Sequence, residues 1–349
     1  MGKCYILLLN YNGWNDTIEC LESTIKSDYK NFQIIVVDNN SPNNSMEYIV
    51  NWTEGRQKIS YDEKNQLNIL SQPGQAKPID YVLYDKTSAL AGGCAEIETK
   101  GYNPLILIQA GENKGFSAGN NIGIQYALAK GDAEYIWVLN NDTVIEVHTL
   151  SELVEKASSY RESNEKVGII GSKLMYYHTP NVIQSIGGIY NSWLATSTSI
   201  GQMQKDNGEF DTEAITEQID YPIGASMFVS VDFIRDVGLM CEDYFLYYEE
   251  LDWTLRGKAK GWKIGYCWRA KVFHKEGGSI GSSAIGTQRS KLSDFYGLKN
   301  RIVFSKKFYP KKLWSVRLGF LVSLFNRLTR GQLDRVNLIF RALLEKPFH

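Results

Sequence analysis

Four short apolar runs, three of them stopping abruptly at Asn or Asp, constrain this chain more than any other feature. Cys4–Leu9 ends at Asn10, Phe32–Val37 at Asp38 and Tyr135–Leu139 at Asn140, while Leu105–Ile108 leads into a Gly-rich segment. Unbroken apolar runs of this length suit strands buried on both faces, as in a parallel sheet. Helical spacing of Ile18, Leu21 and Ile25 between the first two runs makes a βαβ opening, right-handed by default. The chain is therefore expected to be α/β, and parallel α/β sheets bind ligands at the carboxyl ends of their strands. The interrupting polar residues Asn10, Asn12, Asp38, Asn140 and Asp142 all fall at that end.

Around this frame the sequence divides unevenly. Residues from about 54 to 103 lose the strand–helix rhythm and read as an insertion, a hairpin with a mobile tip. Glu112–Gly123 is rich in Gly and Asn and leads into a helix expected over Ile124–Lys130; its glycines suit close approach to backbone or ligand. A second helix is expected from about Thr149 to Asn164, and a small antiparallel part between Met175 and Asp220. Glu249, Glu250 and Asp252 follow a wall of aromatics and open a helix expected over Leu251–Lys260. An isolated acidic pair there would most simply complement the helix dipole. Of four histidines, only His274 ends a core strand.

Composition excludes more than it assigns. With 38 Lys+Arg against 39 Asp+Glu, nothing draws the whole chain to nucleic acid. From Lys299 onward, however, twelve Lys/Arg face two acids, a net of about +10. That segment mixes large apolar residues with Arg and reads as a basic amphipathic helical pair suited to a membrane surface; packing onto the catalytic domain or a second subunit is the plainer alternative. Five scattered cysteines without ligand spacing suit reduced thiols in a cytoplasm. No leader is expected ahead of the first strand, and no apolar run approaches a membrane span. One glycine in Asn10-Tyr11-Asn12-Gly13 cannot supply the three of a dinucleotide fingerprint.

Taken in order, Leu9–Gly13, Val36–Ser41, Glu112–Asn121, Asn140-Asn141-Asp142, Gly224-Ala225, Glu249–Asp252 and His274 resemble the motifs of inverting family 2 glycosyltransferases of the GT-A fold, bacterial rhamnosyltransferase-like members especially. The resemblance covers roughly residues 3–280. It implies a catalytic domain over 1–280, a mixed, mainly parallel sheet flanked by helices, and a helical extension over 281–349. It further implies sugar transfer from a nucleotide-diphosphate donor, dTDP-rhamnose or a UDP-sugar, to a saccharide or lipid-linked saccharide in cell-surface polysaccharide synthesis. Cytoplasmic placement with peripheral contact to the inner membrane face accompanies that role.

Residue by residue, the resemblance makes Glu250 the base and Glu249 its tuning neighbour, with Asp252 bracing the helix. Asp142 and His274 would hold Mg²⁺ or Mn²⁺ against the diphosphate. Asn10, Asn12, Asp38, Asn113, Gly115, Asn120, Asn140, Asn141 and Arg301 would line the nucleotide-sugar site, and Gly224, Ala225 and Trp253 the acceptor side. Two departures stand out: the family's Asp-x-Asp is Asn140-Asn141-Asp142 here, and the second acid of its Glu-Asp pair is Glu250. A non-catalytic nucleotide-sugar-binding module is the alternative those departures leave open.

Overall fold

A computed structural model describes residues 2–59, 61, 64–98, 104–275 and 290–348. Its centre is a mixed sheet. The strands are β1 (Lys3–Asn10), β2 (Phe32–Asp38), β3 (Tyr81–Asp85), β4 (Leu105–Gln109), β5 (Ala133–Asn140), β6 (Thr143–Ile145), β7 (Val167–Tyr176), β8 (Thr179–Ser185), β9 (Gly188–Asn191), β10 (Thr196–Ser199), β11 (Ser226–Ser230) and β12 (Lys263–His274). Among the described residues the main sheet runs β3-β4-β2-β1-β5-β11-β7-β12-β6, with β8 beside β7, while β9 and β10 form a separate pair. The first five strands of that order are mutually parallel; β11 enters antiparallel between β5 and β7.

Alternation along β1 explains why the sheet must be covered twice. Cys4, Ile6 and Leu8 enter an apolar cluster with Trp137, Leu150 and Leu153, whereas Tyr5 and Leu7 enter another with Ile124, Phe233 and Trp253. Helices Trp14–Thr24 and Thr149–Glu162 contribute to the first cluster, and Phe116–Lys130 to the second.

Three expectations change. The 54–103 segment is not a hairpin: Tyr81–Asp85 pairs parallel with β4 and forms the sheet edge, because Val82 and Tyr84 have an apolar face to bury. Residues 60, 62, 63 and 99–103 of that segment lie outside the described ones. The Gly-rich stretch is itself helical from Phe116, and its glycines serve packing. A Cβ on Gly119 would sit 2.4 Å from Leu9, and one on Gly123 2.2 Å from Leu7, so this helix lies directly on β1. Finally, the acidic helix begins at Glu249, which places both glutamates inside its first turn.

Past residue 289, helices Lys291–Phe308, Leu313–Thr329 and Leu333–Leu343 close around Phe295, Ile302, Val316, Phe320 and Ile339. Asp294 of the first accepts from Arg327 of the second at 2.6 Å and from Arg335 of the third at 3.1 Å, tying all three. The expected division near residue 280 falls outside the described residues. No helix among the described residues is long and apolar enough to cross a membrane.

Because Leu7 is fully buried, it cannot swing clear of a new side chain at position 123. Gly123→Val is expected to destabilise by about 1–3 kcal/mol, the range for overpacked cores. A urea midpoint shift at unchanged slope would register it; an unchanged midpoint would mean that the helix sits further from β1.

Candidate active site

Register brings the first group together. Asn10 lies opposite Asp38, and Asp38 opposite Gln109, so these strand ends are level. Asn10 Nδ2 donates to Asp38 Oδ1 at 2.6 Å, and Ser41 donates to the same carboxylate through Oγ at 2.6 Å and backbone N–H at 3.0 Å. Asn12, in the left-handed region at φ 59°, donates its N–H to Ser41 Oγ at 2.8 Å. Asn39 Nδ2 bonds Asn113 Oδ1 at 2.9 Å and the Gly115 carbonyl at 3.2 Å, joining the β2 end to the segment after β4. Gly115 has φ 95°, and a Cβ there would lie 2.3 Å from the Phe245 carbonyl, so only glycine admits the 244–248 turn this close.

Two expected members of this group do other work. Asn120 is buried and bonds back to the Phe116 carbonyl of its own helix at 3.0 Å. Asn141 is also buried and donates to Thr17 Oγ1 at 2.8 Å, reaching Asn10 Oδ1 at 3.4 Å. It locks the loop after β1 from beneath instead of offering its amide outward.

At the β5 end, Asp142 Oδ1 lies 3.1 Å from His274 Nε2. The imidazole is oriented from its other side by Gln184 Oε1, 2.8 Å from Nδ1, while Asn140 Nδ2 lies 3.4 Å from Nε2. With the proton on Nδ1 toward Gln184, a neutral His274 presents an Nε2 lone pair to a carboxylate, an arrangement that a cation between them relieves. Burial pushes the Asp142 carboxyl up, but His274 in its protonated form, with Lys275, outweighs it and holds it below the usual carboxylate value. Among the described residues no three His, Cys, Asp or Glu side chains form a self-contained metal cluster. One carboxylate and one imidazole suit an ion that takes its remaining ligands from phosphate oxygens and water.

The acidic turn faces this pair across β11. Asn140 N–H donates to the Ala225 carbonyl at 2.9 Å, and the Cβ position of the adjacent Gly224 is 4.0 Å from Glu250 Cδ. Ala225 itself packs its methyl into the core, so its contribution is backbone. Trp253, expected on the acceptor side, is fully buried and donates Nε1–H to the Gly238 carbonyl at 2.8 Å. Its indole is needed to fill the core under the helix and does not reach an acceptor.

Tyr247 and Tyr248 precede the helix with φ of 71° and 77°, a conformation unfavourable for side chains of this bulk. Asn300 holds them there, donating to the Leu246 carbonyl at 2.8 Å and the Tyr247 carbonyl at 3.1 Å. Arg301 interacts with the Tyr248 hydroxyl. Asn300 thus holds this turn; sequence drew attention to its stretch and to the neighbouring Arg301, while the role of the buried Asn300 amide shows only in its contacts.

The three acids separate cleanly. Asp252 is saturated by Arg256 Nε at 2.6 Å, Lys307 Nζ at 2.5 Å and the Tyr244 hydroxyl at 3.2 Å. Glu249 and Glu250 each keep a buried Oε2 without a partner. Burial, then the neighbouring Glu250 charge, pushes Glu249 well above the ordinary carboxyl range; burial pushes Glu250 up to about 7.

The family model for Glycosyl transferase family 2 matches residues 5–72 and 67–232, and the chain belongs to that family. It is 25% identical over 230 residues to the low-salt glycan biosynthesis hexosyltransferase Agl10 of Haloferax volcanii, spanning 64% of this chain and 68% of that protein. It is 27% identical over 224 residues to the dTDP-rhamnosyl transferase RfbF of Shigella flexneri, spanning 60% of this chain and 66% of the relative. The match thus extends over about two thirds of either protein. Among solved structures, GalNAc-T7 with UDP, GalNAc and Mn²⁺ aligns at TM-score 0.55 and 14% identity, over 89% of this chain and 49% of that one. The mannosyltransferase PcManGT of Pyrobaculum calidifontis, in complex with GDP-Man and Mn²⁺, aligns at 0.50 and 9% identity, over 98% and 86%. These likenesses establish the GT-A fold.

A carboxyl raised on folding favours the folded state below its unfolded pKa, near 4.5, and that contribution disappears as pH rises through about 7. Glu250→Gln removes the penalty. Allowing for partial exposure, the variant is expected to be about 1–3 kcal/mol more stable than the parent at pH 8, with the gap closing below pH 4.5. Chemical denaturation at the two pH values checks this; equal stability at both would mean that Glu250 is solvated.

Proposed function

We propose that the chain is an inverting transferase moving a hexosyl or deoxyhexosyl group from a nucleoside-diphosphate donor to a saccharide hydroxyl. Inversion needs one in-line displacement, with a base at the acceptor and a positive centre at the departing diphosphate. The observation that carries the reading is the Glu249–Glu250 pair, raised and with a buried, unpartnered Oε2 on each, beside Gly224 in the loop whose next residue, Ala225, bonds the end of β5 at Asn140. Glu250 is the base. With its carboxyl near 7, it is substantially ionised at neutral pH yet basic enough to take a hydroxyl proton. Burial and the neighbouring Glu250 charge both raise Glu249, so the pair resists carrying two adjacent charges.

The hexosyl and dTDP-rhamnosyl activities named for the two relatives support a hexose or 6-deoxyhexose donor. The ends of β1 and β2 would supply Asn12 and Asp38 for the nucleotide and the segment after β4 Asn113, with Gly115 fixing the loop and Arg301, beside Tyr248, as a cation toward the diphosphate. Asp142 and His274 would hold Mn²⁺ or Mg²⁺, in keeping with the Mn²⁺ of the two solved structures. Such an ion, when bound, offsets the charge of the leaving diphosphate. The reading also places the enzyme in the assembly of cell-surface glycans on a saccharide or lipid-linked saccharide.

Donors are found by thermal stabilisation against a panel of nucleotide sugars with Mn²⁺ present. Glu250→Gln should retain that stabilisation while losing roughly 10²–10⁴-fold in kcat/KM, the usual worth of a positioned base. The parent rate should rise with pH through about 7 as the base ionises, and normal turnover by the variant would end this assignment.

His274→Ala and Asp142→Ala should each abolish the extra thermal stabilisation that Mn²⁺ gives to the donor complex. Full transfer in excess EDTA, with no response to added Mn²⁺, would exclude the ion from this site.

A further inference from the structure

Helix Leu313–Thr329 carries a stripe that nothing in the described structure covers. Trp314, Leu318, Leu321, Val322, Phe325 and Leu328 recur at three- and four-residue spacing, and each is at least half exposed, Phe325 reaching 65%. The opposite face, with Val316 and Phe320, is what packs against the neighbouring helices. Six large apolar side chains on one helix face is far more than the scattered exposure ordinary for a soluble surface.

The stripe continues onto a second element. Trp193 and Leu194, in the turn between β9 and β10, are 53% and 47% exposed. The Trp193 ring stands edge-on to Trp314 with centroids 6.4 Å apart. Ser315 Oγ donates to the Trp193 carbonyl at 2.7 Å, and Lys312 Nζ to Ser192 Oγ at 2.6 Å, so helix and hairpin present one rigid surface.

Charge decides what this surface fits. The helix contains Arg317 and Arg327 and no acid. Lys311, Arg317 and Arg330 are exposed and make no ion pair among the described residues. The two acids beyond Lys299, Asp334 and Glu345, are already paired with Lys291 and Lys306. An isologous contact between two copies would set these cations against their own equivalents. An anionic lipid surface instead receives both features, the apolar stripe in its acyl boundary and the cations among its headgroups.

We propose that the Leu313–Thr329 helix and the β9–β10 turn together form an in-plane docking surface for an anionic bilayer. The same hairpin contacts the acidic turn: the Tyr248 hydroxyl donates to the Ala195 carbonyl at 2.5 Å, one residue ahead of Glu249. Docking therefore brings the acceptor side of the site to the bilayer, where a lipid-linked saccharide would present its hydroxyl. This last step rests on the transferase reading; the docking does not.

Flotation of the full chain with vesicles of phosphatidylcholine alone, or with phosphatidylglycerol added, tests the proposal. Capture by the anionic vesicles is expected, with far less by neutral ones. Leu321→Glu/Phe325→Glu and, separately, Arg317→Glu/Arg330→Glu should each lower partitioning by about tenfold or more, with unchanged thermal melting showing that both fold. No capture of the parent, or equal capture of the apolar double variant, overturns it. A parent dimer that Leu321→Glu/Phe325→Glu converts to monomer, without vesicle capture, assigns the face to a second copy and also overturns it. Transfer to a water-soluble acceptor should survive in the apolar variant. A parent that docks but never transfers would sink the enzymatic reading and leave the docking surface standing.

Discussion

The level register of β1 against its two neighbours is the constraint on which the site depends. Asn10 faces Asp38 and Leu9 faces Asn140, so three separately encoded polar ends arrive at one edge. A one-residue slip of β1 would exchange its core faces, putting Tyr5 and Leu7 where Cys4, Ile6 and Leu8 now pack. That penalty falls on a strand whose interior residues are almost entirely removed from water. Burial thus enforces an alignment that the polar residues themselves are too few to impose. The helix carrying Gly119 and Gly123 adds a second restraint, since it touches Leu7 and Leu9 of the same strand.

Two halves of the site obey different rules. The Asp38 carboxylate is fully partnered, by Asn10 and by Ser41, as buried polar groups generally must be. Such a network is rigid in the absence of ligand. Around Glu249 and Glu250 the rule is broken, with an orphaned oxygen on each. Two adjacent carboxyls without counter-ions cost stability, and nothing in the packing requires them, since Asp252 ties the helix to Tyr244 and Lys307. Two adjacent carboxyls, each with an unrelieved oxygen, are a larger local cost than the single orphaned atoms elsewhere in the interior, and such a cost is a mark of a functional group.

The sheet was legible because burial leaves a strong trace: apolar runs with polar stops define β1, β2, β4 and β5 without further help. The edge strand Tyr81–Asp85 was harder, since it sits amid loop chemistry and its partner lies beyond a further break in the rhythm. Within the site, residue type and strand-end position drew attention to Asp38, Asp142 and His274, while the glutamates, which alone would read as a helix cap, were singled out by the resemblance to family 2 glycosyltransferases. Burial of individual side chains was not legible, which is why Trp253, Asn120 and Asn141 were expected at ligands and serve the interior instead. Gln184 lies on a strand far from His274 in sequence and carries no motif, so only tertiary contact reveals it. Trp193 is similar, one aromatic in an unremarkable turn until the helix is set beside it.

The C-terminal helices are part of the site's energetics. Tyr247 and Tyr248 hold a backbone conformation costing about 1 kcal/mol or more each for a bulky residue. Isolated, that turn would relax toward extended or right-handed geometry and rotate the first helical turn with it. Asn300 opposes this from the helix Lys291–Phe308, and the Ala195 carbonyl opposes it from the hairpin. Lys307 of the same helix neutralises Asp252, the anchor of the acidic helix. The orientation of Glu249 and Glu250 is therefore set by residues some fifty positions away on either side in the sequence. Loosening the bundle that Asp294, Arg327 and Arg335 hold together would reach the carboxyl pair through Asn300 before it reached any strand of the sheet. The segment that presents an apolar face outward is thus mechanically continuous with the one that places Glu249 and Glu250.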